Sequence, residues 1–118
     1  MARLIKERRV ASPSPPEGKV LWLEPADDLS KLGERLAGVS RVEVNFPKFG
    51  DGRGYSLARL LRTRYGYKGE LRAVGEFTRD HLLFMERVGF DAFELREGED
   101  AAEALAAFGD FSAVYQKP

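Results

Sequence analysis

Apolar residues in this chain form four short runs. After each run comes a segment in which apolar residues recur at wider intervals, with polar residues between them. The runs begin near residues 19, 41, 70 and 90. In the segments between them, leucine and other apolar residues recur every three or four positions, which is typical of a helix that packs on one face. Strands that alternate with single helices predict an α/β protein with a four-unit βα repeat and a parallel sheet.

The four predicted strands cover residues 19–23, 41–45, 70–74 and 90–96. The first strand is an apolar run bounded by Gly18 and Pro25, and we expect it to be buried on both faces. Prolines and small polar residues crowd the stretch before it, so residues 1–18 are predicted to be an N-terminal arm and proline-rich linker. A short edge strand is expected there around Leu4 and Ile5. Residues 19–118 form the predicted single α/β domain.

The first two predicted helices have recognisable start and stop signals. Asp27 or Asp28 is expected to cap the first helix, which ends at Gly38. The second helix is expected to begin near Leu57, after a glycine-rich stretch, and to end at Gly66.

The last two predicted helices follow the third and fourth strands. Thr78 is expected to cap the third helix, which ends at Gly89. Asp100, with Glu103 three residues later, is a start resembling a capping box for a fourth helix that runs to Phe108. The inward residues of the third helix are predicted to be Leu82, Met85 and Val88.

Four βα units allow two architectures, because crossover connections between parallel strands are right-handed. One is an open twisted sheet covered by helices, which we prefer for four strands. The other is half of a TIM-like barrel, completed by a second copy of the chain. Only the N-terminal arm and an apolar tail, residues 111–115, remain to protect the edges of the sheet. We therefore predict a homodimer.

Composition removes several classes of function. Cysteine is absent and histidine occurs once among the 118 residues, which excludes disulfides and argues against a metal site. The net charge is zero, so we expect no binding to nucleic acid or membranes. Residues 41–87 hold ten basic and six acidic residues, whereas residues 91–110 hold seven acidic residues and one basic residue. This division suits a small anion or a charged protein partner. No signal peptide or membrane-spanning run is visible, which predicts a cytoplasmic protein.

The stretch from residue 46 to residue 56 carries the most distinctive chemistry. Gly50, Gly52 and Gly54 allow the backbone to approach a ligand closely, and Arg53 lies between two of them. The following helix begins with free N–H groups and a partial positive charge, so the stretch is predicted to hold an oxyanion. A simple glycine-rich turn, in which Arg53 pairs with Asp51, explains the same residues.

Ligands of parallel sheets bind outside the carboxyl ends of the strands, where the four βα loops meet. The loops add Glu24, Glu76, Thr78, His81 and Arg96 to this region, with His81 interpreted mainly as a structural residue near a helix start. The predicted catalytic residues are Asp51, Tyr55 and Asp80. The predicted ligand-binding residues are Asn45, Gly52, Arg53, Gly54, Ser56 and Arg79.

These residues form part of a pattern that extends over more than half of the chain. It includes Asp-Gly-Arg-Gly-Tyr-Ser at residues 51–56, and further matches at residues 45–47, 58–62, 65–66, 69–73, 79–80, 85, 87, 89–93 and 115–116. In this pattern the chain resembles the bacterial domain-of-unknown-function 934 family. The resemblance implies an accessory protein or oxidoreductase associated with assimilatory sulfite reduction. Family members often have a longer N-terminal region, and a Gln and a Cys where this chain has His81 and Val88.

Two functions are consistent with these observations. The first, which we prefer, is an accessory protein of assimilatory sulfite reduction that holds a small oxyanion and docks on sulfite reductase or a related redox enzyme. The second is an oxidoreductase or another enzyme that acts on a sulfur oxyanion or a phosphorylated small molecule. The sequence has no dinucleotide or phosphate-loop fingerprint, so the cofactor is left open.

Overall fold

A computed structural model describes residues 3–12, 18–48 and 52–108 of the chain. Its centre is one sheet of six strands in the order β2-β1-β6-β5-β4-β3. The strands are β1 (Leu4–Lys6), β2 (Arg9–Ala11), β3 (Lys19–Leu23), β4 (Val39–Phe46), β5 (Glu70–Gly75) and β6 (Ala92–Glu94). All four predicted strands are therefore present, and the N-terminal arm adds two more.

Helices follow β3, β4, β5 and β6 in turn. They are α1 (Leu32–Arg35), α2 (Gly52–Thr63), α3 (Leu82–Val88) and α4 (Ala101–Ala104). The first helix is shorter than predicted, because Asp28 accepts a hydrogen bond from the backbone N–H of Ser30 in a local turn and does not cap a helix. The predicted stops are confirmed at Gly38, Gly66 and Gly89, whose φ angles are +72°, +60° and +128°.

The sheet is mixed but mostly parallel. Strands β3 to β6 are parallel and lie side by side in chain order, whereas β1 is antiparallel to both β2 and β6. The α/β class and the open sheet are thus confirmed. The half-barrel alternative is wrong for this chain, since the free edge of β6 that a parallel barrel would continue from is already occupied by antiparallel β1.

The hydrophobic core lies on one face of the sheet. Along β4, Val42, Val44 and Phe46 are buried, and the polar residues between them belong to the other face. Buried residues of all four helices belong to the same core cluster as these three side chains. The four helices therefore pack on this face, and the described residues form two layers, a sheet and a layer of helices.

The prediction that β3 is buried on both faces is wrong. Val20 is 38% exposed and Trp22 is 47% exposed, although Leu23 at the end of the strand is fully buried. Among the described residues, β3 is an edge strand, so no helix covers one of its faces and no strand pairs with one of its borders.

The N-terminal hairpin is built into the domain. Ile5 in β1 is fully buried and lies opposite Phe93 of β6. The turn between β1 and β2 is formed by Glu7 and Arg8, which have φ angles of +53° and +62°. Arg8 donates two hydrogen bonds, of 2.8 and 2.7 Å, to the carboxylate of Glu86 in α3. This ion pair connects the turn between β1 and β2 to helix α3.

Across the described parts of the chain, no helix is long and apolar enough to cross a membrane.

Candidate functional site

Helix α2 begins at Gly52, five residues before the predicted start. Arg53, Tyr55 and Ser56 therefore lie in its first turns and not in a loop. The first turn contains no acidic residue, so Arg53 is the charged side chain that the helix places at its start. The predicted residues Gly50 and Asp51 lie outside the described residues.

Gly54 is buried where α2 crosses the end of β4. A Cβ atom added to Gly54 would lie 2.6 Å from Cζ of the Phe46 ring. The absence of a side chain at residue 54 thus allows the helix to contact the end of β4 closely. Gly54 is helical, so close packing, and not an unusual backbone conformation, is the reason for glycine here.

Tyr55 packs between two phenylalanines. Its ring centroid is 5.5 Å from that of Phe46 and 5.0 Å from that of Phe84, the latter in an edge-to-face arrangement. Burial raises the pKa of the Tyr55 phenol, so the side chain stays protonated at neutral pH. These contacts favour a packing role for the ring over proton transfer.

Two shallow grooves run along the exposed side of α2. Gly52, Ser56 and Leu60, which follow one another at single helical turns, line both of them. The first groove also contains Arg53 and Leu57 of α2 with Pro25 and Leu29 from the connection after β3. The second also contains Tyr55, Arg59 and Thr63 of α2 with Phe84 and Val88 of α3. Both grooves are lined mainly by apolar atoms.

Asn45 lies on the other face of the sheet. It alternates with Val44 and Phe46 along β4, so its side chain belongs to the face opposite the helices. Its amide nitrogen donates a 2.9 Å hydrogen bond to Glu24, and the other carboxylate oxygen of Glu24 accepts a 2.7 Å bond from the indole of Trp22. Asn45 therefore positions Glu24 and Trp22 and does not line the grooves on α2.

Gly75 allows the end of β5 to approach Asn45 of β4 closely. Its φ angle is +103°, and a Cβ atom there would lie 2.6 Å from Oδ1 of Asn45. A side chain at residue 75 would therefore be strained and would also displace the Asn45 amide.

The loop after β5 forms a short 3₁₀ turn, Arg79–His81, before α3. The backbone N–H of Thr78 donates a 3.2 Å hydrogen bond to Nδ1 of His81, and His81 completes a capping box with Thr78. This assigns the proton of the neutral ring to Nε2 and supports the structural interpretation of His81. Arg79 and Asp80 are exposed and do not line either groove on α2.

A separate polar loop follows β6. Nη1 of Arg96 lies 3.4 Å from the carboxylate of Glu76, which follows β5, and Nε lies 3.7 Å from Glu99. This arrangement connects the carboxyl ends of β5 and β6 through charge pairs. The two loops lie close together, as the parallel topology predicted. The carboxylates of Glu76 and Glu99 offset the positive charge of Arg96.

The structure thus brings some of the predicted residues together. Gly52, Arg53 and Ser56 share one groove, and Gly52, Tyr55 and Ser56 share the other. No group of three or more His, Cys, Asp or Glu residues within residues 3–12, 18–48 and 52–108 could hold a metal ion.

Phe84 was missed by the sequence reasoning, although it is 49% exposed and faces Tyr55. It lies outside the inward stripe of its helix, formed by Leu82, Met85 and Val88, all of which are buried as predicted. A large aromatic residue off the buried stripe of an amphipathic helix is the signal that could have identified it.

The fold and the grooves define a two-layer α/β protein whose candidate binding surface lies along one helix. Residues 20–118 match the family described as bacterial protein of unknown function, DUF934. Because this match covers most of the chain, the protein belongs to that family. Comparisons with curated proteins and with solved structures gave no match.

Proposed function

We propose that this protein is an accessory of assimilatory sulfite reduction that binds a small oxyanion at the start of α2 and docks on sulfite reductase or a related redox enzyme. The sulfur chemistry comes from the family resemblance of the pattern around residues 51–56. The binding mode comes from the arrangement of the side chains on α2.

The position of Arg53 carries the proposal. It lies in the first turn of a twelve-residue helix that directly follows the carboxyl end of β4, and that turn contains no acidic residue. Ser56 lines the same groove and supplies a hydroxyl donor. The helix dipole, the first backbone N–H groups and a guanidinium all favour an anion in this position.

Binding is better supported than catalysis by the residues that the structure describes. Tyr55 is packed between aromatic rings and its pKa is raised by burial. Asp80 lies in the exposed turn before α3 and does not line the groove that contains Arg53. The two described candidates for proton transfer are therefore not arranged around the proposed anion.

Docking on a partner enzyme is supported by the second groove. Phe84 is 49% exposed, its ring is held against Tyr55, and Arg59 lines the same surface. Aromatic residues and arginine are enriched at the centres of protein interfaces. The neighbouring small residues, Gly52 and Ser56, leave room for an inserted side chain.

Calorimetry with sulfite, sulfate and phosphate tests the oxyanion site. We expect Arg53→Ala to weaken binding about tenfold or more, because it removes a cation at the helix start. Arg59→Ala is the matched control, since it removes the same charge from an exposed position on the same helix. Equal weakening by both substitutions would show a general charge effect, and no binding by the unaltered protein would refute the site.

Co-sedimentation with purified sulfite reductase haemoprotein tests docking. We expect Phe84→Ala to reduce complex formation, whereas Val10→Ala, which truncates another exposed apolar side chain, leaves it unchanged. Absence of a complex with the unaltered protein would remove the docking part of the proposal and leave the oxyanion site to be judged by calorimetry.

A further inference from the structure

The two edges of the sheet are protected to different degrees. The edge formed by β2 is only three residues long, contains Arg9, and ends at a turn with two positive φ angles. The edge formed by β3 is five residues long and almost wholly apolar. Short, charged and twisted edges resist pairing with another chain, whereas long apolar edges favour it. Among the described strands, β3 is therefore the edge that is open to pairing.

Strand β3 also carries a cluster of exposed apolar surface. Val20 and Trp22 are 38% and 47% exposed, and they lie two residues apart on the face of the sheet that bears no helices. Because β3 pairs with β4 on one side only, its other side presents backbone N–H and C=O groups that no described strand uses. Apolar side chains thus accompany unpaired backbone groups along the same five residues.

Trp22 is exposed and yet held in one orientation. Its indole N–H donates a 2.7 Å hydrogen bond to Glu24, and the second carboxylate oxygen of Glu24 accepts a 2.9 Å bond from Asn45. An aromatic side chain that is already ordered loses little conformational entropy when it enters an interface. These two hydrogen bonds therefore reduce the conformational entropy that the Trp22 ring loses when it contacts a partner.

The sequence of β3 is complementary to itself in the antiparallel direction. A two-fold axis at Leu21 would place Val20 of each copy opposite Trp22 of the other. Both pairs would lie on the face of the sheet that bears no helices. Cross-strand pairs of an aromatic and a β-branched residue are among the favourable pairs in antiparallel sheets. The same axis places Leu21 opposite Leu21 of the other copy, on the face that packs against the helices.

We propose that a second copy of this chain pairs with β3 in this antiparallel register and joins two six-stranded sheets into one continuous sheet. The isologous arrangement uses the same five residues on both copies, as a two-fold dimer requires. It leaves both grooves along α2 outside the paired strands, so it is independent of the proposed oxyanion site.

Analytical ultracentrifugation, with the single tryptophan as an internal reporter, tests this interface. The unaltered protein is expected to be a dimer at micromolar concentration, and its Trp22 emission should shift to the red on dilution as the ring becomes more exposed. Val20→Lys should raise the dimer dissociation constant at least about tenfold, because it places two cations in the interface. Val10→Lys is the matched control on the other edge strand and should leave the dimer intact.

A second substitution separates loss of pairing from loss of folding. Trp22→Lys changes an exposed side chain on the same edge, and its circular dichroism shows whether the domain is folded. A folded monomer for both edge variants supports the interface. A monomeric unaltered protein, or a dimer that dissociates with Val10→Lys and persists with Val20→Lys, would overturn it.

Discussion

Glycine at residue 54 illustrates how a single residue sets the contact between two elements. Gly54 is helical, so alanine would normally be the better residue for the backbone. Its position facing Phe46 prevents this gain, because the Phe46 ring is itself buried against Tyr55, Phe77 and Phe90. A methyl group at residue 54 would therefore overpack a region in which the ring has little space to move.

We predict that Gly54→Ala lowers the free energy of unfolding by about 1–3 kcal/mol, the range typical of overpacked cores. Gly52→Ala is the matched control, since it lies in the same helix and a Cβ atom there would meet no atom of the described residues within 4 Å. Urea unfolding measures both variants. An unfolding midpoint for Gly54→Ala equal to that of Gly52→Ala would contradict the packing explanation.

At the scale of elements, charge pairs connect the strands on the face without helices. Glu70 at the start of β5 lies 2.9 Å from Nζ of Lys6 in β1 and 2.6 Å from Nη2 of Arg72. Burial alone would raise the pKa of Glu70, but the hydrogen bond to Lys6 and the charge of Arg72 lower it overall. Since its pKa is lower in the folded state, ionised Glu70 stabilises the sheet, and this stabilisation is lost as the pH falls through the folded-state value.

We predict that Glu70→Gln lowers the free energy of unfolding by about 1–2 kcal/mol at neutral pH. The difference from the unaltered protein should shrink as the pH falls through the lowered folded-state pKa of Glu70, because the carboxylate is then protonated in both states. Urea unfolding across this range tests the sign. Glu94→Gln removes a more exposed and more distant partner of Arg72, at 3.6 Å, and should cost less than about 0.5 kcal/mol.

The elements with strong periodic patterns were predictable, and those that depend on tertiary contacts were not. The runs around residues 41–45 and 70–74 were correctly predicted as β4 and β5. In both runs polar and apolar residues alternate, and a helical pattern follows, so the two signals indicate the same structure. The start of α2 was misplaced because its glycines favour a loop locally, whereas contact with Phe46 stabilises a helix. The hairpin was only partly anticipated, since Glu7 and Arg8 are unusual turn residues and the Arg8–Glu86 pair supports them from outside.

The candidate site was predictable only in part for the same reason. Arg53 and Ser56 were identified from their position after a strand, and they do share a groove. Asn45 was grouped with them because it also follows the apolar run. Its place between Val44 and Phe46 puts it on the opposite face, and that consequence becomes visible only when the helices are known to cover a single face.

At the scale of the whole molecule, the N-terminal hairpin closes one side of the domain. β1 covers the border of β6, and backbone hydrogen bonds connect the hairpin to the strand ends, from Leu95 to Arg3 at 2.7 Å and from Glu7 to Asp91 at 2.8 Å. The family match begins at residue 20, after this hairpin. The hairpin therefore lies outside the matched region and nonetheless shares its core.

The hairpin should accordingly contribute to the stability of the entire domain. Ile5 is fully buried in the common core, whereas Val10 in the neighbouring strand is 43% exposed. We predict that Ile5→Ala lowers the free energy of unfolding by about 2–4 kcal/mol through lost burial and a residual cavity, and that Val10→Ala costs less than about 1 kcal/mol. Unfolding should remain a single transition when circular dichroism and Trp22 fluorescence are compared, because β1 and β3 belong to one sheet. If Ile5→Ala changed the circular dichroism signal in a separate early phase while Trp22 emission was unaffected, the hairpin would be an independent unit and the sheet would not unfold cooperatively.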